Sequence, residues 1–582
     1  MKKLSLTLIL ITILALCIGL IVFAEAEPVS ADESTVTMPT VFADGMVLQR
    51  REPINVFGYC ETDGAVIEVT LGENTVSATV ENGEWLATLP EMEAAKGLTL
   101  TVTQKNTASG EPLVFNNVSV GEVWVVGGQS NAVYEFNKMD GREEYLLNAD
   151  NFDNIHVFTT TKTPAPTADN LLYGDGKWFK VDYDFLSSAG TGAAYNISSV
   201  GYVMATRLAA ELGSDVPIAI MNLCVSGSSI KTWISPEVYQ NKNDFYTSSA
   251  RLAFYNDYLS YLKHMEFYKQ NGRWPNSTAE LTGYLSTSSL PSCHYDSFIG
   301  PYTGYTAKGA VWYQGESDLD MGDMYIDYFD AVKSSFKTTF ANDDMSFFVV
   351  SLQPYGTSSS TFNSMSNFRE VQYKMASLDE NTYLVSAQRE GATFTTEDLS
   401  FNPTTPGYAH NARKAPVGVK LADEVLRKIY GIGESFGAPT ILDVAVLGNQ
   451  VILAFDTDIS LYFGDKPVGF EIASSNNNFY EATATLNGNI ITLTASGVSS
   501  PKQVRYGHIG VYTEHESGLM IDFSCSSEET STRPLVEYVT RTVGGATYYF
   551  VRDSHTALNS SIYGNVTNAY GHPLPAFKIT LQ

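Results

Sequence analysis

Val123-Trp124-Val125-Val126-Gly127-Gly128-Gln129-Ser130-Asn131 is the stretch on which the fold turns. An apolar run rich in β-branched residues and Trp stops at two glycines, and a serine follows at once. That is how a parallel sheet ends a strand and presents a hydroxyl at its carboxyl edge: the glycines permit a tight turn and the serine is left exposed. A second run of the same kind, Gly309-Ala310-Val311-Trp312-Tyr313, leads into Gln314-Gly315-Glu316-Ser317-Asp318. Taken alone, a serine after a glycine turn also caps helices, so the rest of the chain has to decide its role.

Around these two runs, apolar segments alternate with amphipathic ones. Ile218 to Leu223 and Phe347 to Val350 read as buried strands. Val200, Met204, Leu208 and Leu212 share one helical face, as do Leu421, Val425 and Ile429. Alternating strands and helices imply an α/β domain with a central, mostly parallel sheet, here over residues 121–431. Before it, Ile67, Val69 and Leu71 alternate with Glu68 and Thr70, and Leu98-Leu100-Val102 repeats the pattern. Glu81-Asn82-Gly83 marks a turn between such runs, and residues 35–120 are expected to form a small β-sandwich. From residue 437 to 582 alternation returns, as in Val451-Leu453-Phe455 and Ile490-Ile491-Thr492-Leu493, and predicts a C-terminal β-rich domain. The polar stretch Tyr239 to Thr287 is expected to be partly helical and to form a wall or lid near the site. Ser524 to Thr532 reads as a surface loop.

Lys2 and Lys3, an apolar run from Leu4 to Phe23, and Ala24-Glu25-Ala26 together describe a secretory signal peptide over residues 1–26, with a membrane anchor as the rival reading. Cys17 lacks the small residue before it that lipid attachment wants. Cys60, Cys224, Cys293 and Cys525 are too few and too scattered for a disulfide framework, though they leave one bridge open. The formal charge of -28 argues against nucleic acid or an anionic membrane as partner and suits a secreted protein acting on a neutral polymer. His264 and His294 lie far apart, no Cys-x-x-Cys pair or phosphate-cradling glycine loop occurs, and neither a metal nor a cofactor is expected.

Gly121-Glu122-Val123-Trp124 running into Gly128-Gln129-Ser130-Asn131, with Trp312-Tyr313-Gln314-Gly315-Glu316-Ser317, resembles the sialate O-acetylesterase family of SGNH hydrolases. Val41 to Arg50, Phe368 to Gln372, Val504 to Tyr506 and Gly571 to Phe577 extend the resemblance over most of the chain. It implies an SGNH-type, flavodoxin-like hydrolase domain flanked by β domains and a secreted serine esterase that removes O-acetyl groups from a carbohydrate through an acetyl-enzyme. Ser130 would be the nucleophile. The oxyanion hole would take the backbone N–H of Ser130, the N–H of Gly227 in a second block where Val225 and Ser226 depart from the family pattern, and the side chain of Gln314.

The base implied is His410, followed by Asn411-Ala412-Arg413-Lys414-Ala415-Pro416-Val417-Gly418. Two family aspartates are missing near it: Tyr408 stands two residues before the histidine, and Leu384 to Arg389, including Gln388, carries none. The acid of a triad fixes the imidazole tautomer, and losing it costs on the order of 10⁴ in rate. Glu316 is the expected substitute, ahead of Asp398 and Glu390. The readings left beside this one are a carbohydrate-binding pseudoenzyme and a broader esterase on the same scaffold. Neither the acetylated sugar, sialic acid or a polysaccharide, nor the oligomeric state follows from the sequence.

Overall fold

A computed structural model describes residues 36–105, 111–139, 141–160, 168–188, 197–241, 248–353, 359–387, 410, 412–433, 437–461, 465–474, 477–508, 537–543, 546–552, 564–569 and 572–581. The expected leader over residues 1–26, together with Gln388, Glu390, Asp398, Tyr408, Asn411, Cys525 and the loop at Ser524 to Thr532, lies outside them.

The N-terminal strands are β1 (Val47–Gln49), β2 (Ile54–Tyr59), β3 (Val66–Leu71), β4 (Asn74–Thr79), β5 (Glu84–Leu89) and β6 (Ala95–Gln104). In β3 the burial alternates residue by residue and buries Ile67, Val69 and Leu71, the set its alternation assigned to the core. The turn at Asn82 and Gly83 has both residues at positive φ and joins β4 to β5.

The organising element is β7 (Leu113–Gly128), a strand of 16 residues. Its first half pairs antiparallel with β6 and parallel with β1, with Ser119 beside Val47 and Val120 beside Leu48. From Glu122 onward it pairs in parallel with β10 (Ile218–Cys224) on one side, and from Trp124 with β11 (Gly309–Tyr313) on the other. The change of character at residue 121 is therefore an exchange of partners along one continuous strand, not a break in the chain. Residues Val118 to Gly128 are buried without interruption, as a central parallel strand covered on both faces must be. Glu122 is a carboxylate inside that run. Arg50 donates to its Oε1 at 2.6 Å and Gln49 to its Oε2 at 3.2 Å, so the charge is paired at the seam where the partners change.

The remaining strands of this mixed sheet are β8 (Ile155–Thr159), β9 (Lys177–Lys180), β12 (Ser346–Val350) and β13 (Thr382–Val385), in the order β13-β12-β11-β7-β10-β8-β9. All neighbours are parallel except β8 and β9. Helices Ser199–Leu212, Met324–Thr339, Ser359–Ser377 and Ala415–Val425 connect or follow these strands, and Ser248–Asn271 lies within the expected excursion. Ser198 caps the first of them by accepting from the Gly201 N–H. One contiguous apolar core runs from Val41 to Leu426. A second, from Val451 to Leu581, belongs to small antiparallel sheets such as that of Ile441–Leu447 with Gln450–Phe455. Buried contacts tie the two regions: His572 Nε2 lies 3.0 Å from Asp423, and Arg369 donates to the Gly507 carbonyl.

Cys60, Cys224 and Cys293 are buried free thiols. Among the described residues no helix is long and apolar enough to cross a membrane.

Candidate active site

Register brings the three blocks together. Gly128 lies beside Cys224 across one pairing and beside Tyr313 across the other, so β7, β10 and β11 all end at the same level. The loops that follow, 129–131, 225–229 and 314–318, leave a common carboxyl edge, where parallel sheets hold their ligands. Gly128 is required there. Its φ is +129°, and a Cβ would stand 2.2 Å from the Tyr313 carbonyl oxygen.

Ser130 follows this turn and is half-buried. Among the described residues neither its hydroxyl nor its backbone N–H has a hydrogen-bond partner, while Gln129, Ala132 and Val133 around it all use theirs. Gly227, in the loop after β10, is exposed, has φ +73° and would meet nothing within 4 Å on adding a Cβ. Its N–H is likewise without a partner among the described residues, and its carbonyl accepts from Ser317 at 3.2 Å. Two backbone donors without a partner among the described residues thus lie on loops that leave neighbouring strand ends.

Gln314 is placed differently from the expectation. Its side chain is fully buried and its amide nitrogen lies 3.1 Å from Gln129 Oε1, 3.0 Å from the Ser228 carbonyl and 2.5 Å from Asp318 Oδ2. Its amide oxygen accepts from the Tyr325 hydroxyl at 2.7 Å. Two N–H hydrogens already face three acceptors, so none is directed at an incoming oxyanion. The reason is the loop's own need: burying a carboxamide obliges it to satisfy itself locally. Asp318 completes this lashing. It accepts from the Ser229 hydroxyl at 2.6 Å and the Ile230 N–H at 2.8 Å as well as from Gln314, which joins the second block to the third. Burial raises its pKa above the usual aspartate value against those donors.

Glu316 was expected to orient His410, and the described contacts give it other partners. Asn131 Nδ2 donates to its Oε1 at 2.5 Å, and its Oε2 is sealed from solvent with no partner among the described residues. Burial pushes the carboxyl up to about 7 against the lowering effects of its own backbone N–H, Asn131 and Lys414. Asn131 turns its other atom to Lys414, whose ammonium donates to Oδ1 at 2.7 Å.

His410 is more than a third exposed and makes no hydrogen bond to Ser130 or Glu316. Desolvation, with Lys414 and Lys138 nearby, lowers its pKa below the ordinary 6.5 and favours the neutral imidazole a general base requires. Asp398 and Glu390, the other acids considered, fall outside the described residues. Among the described residues no cluster of His, Cys, Asp and Glu could hold a metal ion.

Asn131, Asp318 and Lys414 are the residues the sequence reading left without a role. All three stand inside stretches already singled out, which is the only signal the sequence offered for them.

No protein-family model matches the chain. The resemblance read from the sequence is nevertheless borne out among curated proteins. The chain is similar to the sialate O-acetylesterase of Pongo abelii, 26% identical over 304 residues, which are 51% of this chain and 51% of that protein. It is similar to the mouse sialate O-acetylesterase, 24% identical over 309 residues, 51% of this chain and 54% of that one. The match therefore spans about half the length of these relatives. Among solved structures, a carbohydrate acetylesterase from Xanthomonas citri superposes with a TM-score of 0.65 at 22% identity, over 94% of this chain and 100% of that chain, and shares the fold.

Proposed function

We propose that this sialate O-acetylesterase-like chain is a secreted serine esterase that removes O-acetyl groups from a carbohydrate, on an SGNH-type hydrolase domain flanked by β domains. One observation carries the reading. A half-buried serine stands where the parallel strands β7, β10 and β11 end; among the described residues its hydroxyl and N–H have no hydrogen-bond partner, and neither has the N–H of Gly227 in the loop after β10. The sequence partition proposed with it is a leader at 1–26, a β domain at 35–120, the hydrolase domain at 121–431 and a β-rich domain at 437–582, with β7 shared by the first two folded parts.

In this reaction Ser130 Oγ attacks the acetyl carbonyl carbon as the His410 imidazole takes its proton. The carbonyl oxygen becomes an oxyanion facing the N–H groups of Ser130 and Gly227. The carbon–oxygen bond to the sugar breaks, and the imidazolium returns its proton to the departing sugar oxygen. Water, deprotonated by His410, then attacks the acetyl-serine; acetate leaves and the proton returns to Ser130. Gln314 serves this proposal as a brace between blocks, not as an oxyanion donor. Ser130 and His410 would close to hydrogen-bond distance when substrate binds, since catalytic hydrogen bonds are often long in unliganded enzymes. The relatives' name points to acetylated sialic acid, and the same acyl chemistry serves an acetylated polysaccharide.

A second reading, a carbohydrate-binding pseudoenzyme, is favoured by the missing contact between Ser130 and His410 and by Glu316 facing Asn131 in place of the histidine. Acetate release from acetylated sialic acids and acetylated polysaccharides separates the two. The esterase reading expects release by the unaltered protein and its loss in Ser130→Ala. Sugar binding with no release from any of these substrates would select the pseudoenzyme.

A further inference from the structure

Lys414 has no exposed side-chain surface at all. It stands immediately before the helix Ala415–Val425, at the end of a helix dipole where a cation is disfavoured. Burying an ammonium is costly unless it is bonded on several sides, and here it is. Its Nζ donates to Asn131 Oδ1 at 2.7 Å and lies 3.4 Å from Gln353 Oε1. It lies 5.0 Å from the ring centre of Tyr134 and 5.7 Å from that of Tyr313, over both faces. Asn131, next to Ser130, relays this contact to Glu316. Local preference and desolvation both oppose a lysine at this place, so its presence demands a use.

We propose that Lys414 is a positioning residue of the esterase centre, clamping through Asn131 and Glu316 the turn that carries Ser130, with its charge acting on both the Glu316 carboxyl and His410. The inference rests on the esterase reading and deepens it. Two consequences separate it from a merely structural lysine. The ammonium disfavours protonation of His410 and favours ionisation of Glu316, so its removal moves both groups toward the protonated form. Among the described residues the other charges that act on them are Asp318 on Glu316 and Lys138 on His410, with Glu135 paired to Lys138 at 2.9 Å; these stay in place.

The test uses the whole chain with Lys414→Met, Lys414→Gln and Lys414→Arg, and p-nitrophenyl acetate as substrate. Lys414→Met is expected to lose kcat by on the order of 10²-fold, the cost of a displaced reacting group, with KM for this small ester little changed. The acid limb of its pH–rate profile moves to higher pH. Lys414→Arg, which keeps the charge, recovers most of the rate. Should the Met variant fail to fold, Lys414→Gln keeps a donor for Asn131 without the charge and is expected to show the same displaced limb. Wild-type kcat and an unmoved limb in these variants, with Ser130→Ala inactive, overturn the clamp and leave the esterase standing. If the unaltered protein turns over no ester, the esterase reading falls, and the clamp is judged by infrared titration of the Glu316 carboxyl. A higher midpoint in Lys414→Met supports it, and an unchanged midpoint overturns it.

Discussion

Glu316→Gln probes the electrostatics of the site without relying on any substrate. Burial raises the pKa from 4.5 to about 7: Asn131 donates to one carboxyl oxygen, and the other is sealed with no partner among the described residues. A raised carboxyl pKa means that folding holds the proton more tightly. The associated stability is complete below the unfolded value and is lost as the pH climbs through the folded one. Each tenfold change in protonation is worth about 1.4 kcal/mol, so ionising Glu316 costs the folded protein about 3 kcal/mol by pH 8. Glutamine keeps the acceptor for Asn131 and cannot titrate. Any fixed loss from placing its NH₂ in the sealed position is the same at every pH and cancels in the comparison. Urea denaturation of both proteins, followed by tryptophan fluorescence from about pH 4.5 to about pH 8, should show the wild type losing about 3 kcal/mol relative to the variant across that window. A pH-independent difference would refute the reasoning, because it would mean a hydrated carboxyl with an ordinary pKa. So would a loss in the opposite direction.

The lowered pKa of His410 places the acid limb of kcat/KM for acetyl ester hydrolysis below pH 6.5, and His410→Ala should abolish that limb together with most of the rate; a limb above 6.5 would contradict the assignment. Asp318→Asn replaces an acceptor of three donors with a group that can serve fewer of them, and should destabilise the folded protein by about 2–4 kcal/mol in the same denaturation assay. Unchanged stability would show that the two loops hold without this lashing.

What the sequence made legible was periodic or punctuated. The helix predicted from Val200, Met204, Leu208 and Leu212 runs from Ser199 to Leu212, because an amphipathic stripe needs no knowledge of its partner. The strand end at Gly128 was equally plain, since two glycines and a serine after an apolar run allow little else. The passage of β7 through residue 121 was not legible: an apolar run looks the same whether its neighbour is β6 or β10. The hydrogen-bond partners of Gln314 and Glu316 were not legible for a related reason. Their partners, Gln129, Ser228 and Asn131, come from loops up to 185 residues away in sequence, and only the common level of three strand ends brings them together. Lys414 read as one residue of a matched segment, and nothing in its own neighbourhood announced a buried cation.

The central claim is that Ser130 carries the acyl group. Rapid acid quench of the protein during turnover of an acetyl ester, followed by peptide mass spectrometry, tests it directly. An acetyl adduct is expected on the peptide containing Ser130, formed within one turnover and absent from Ser130→Ala. Steady acetate release with no adduct there, or an adduct on another residue that persists in Ser130→Ala, would contradict it.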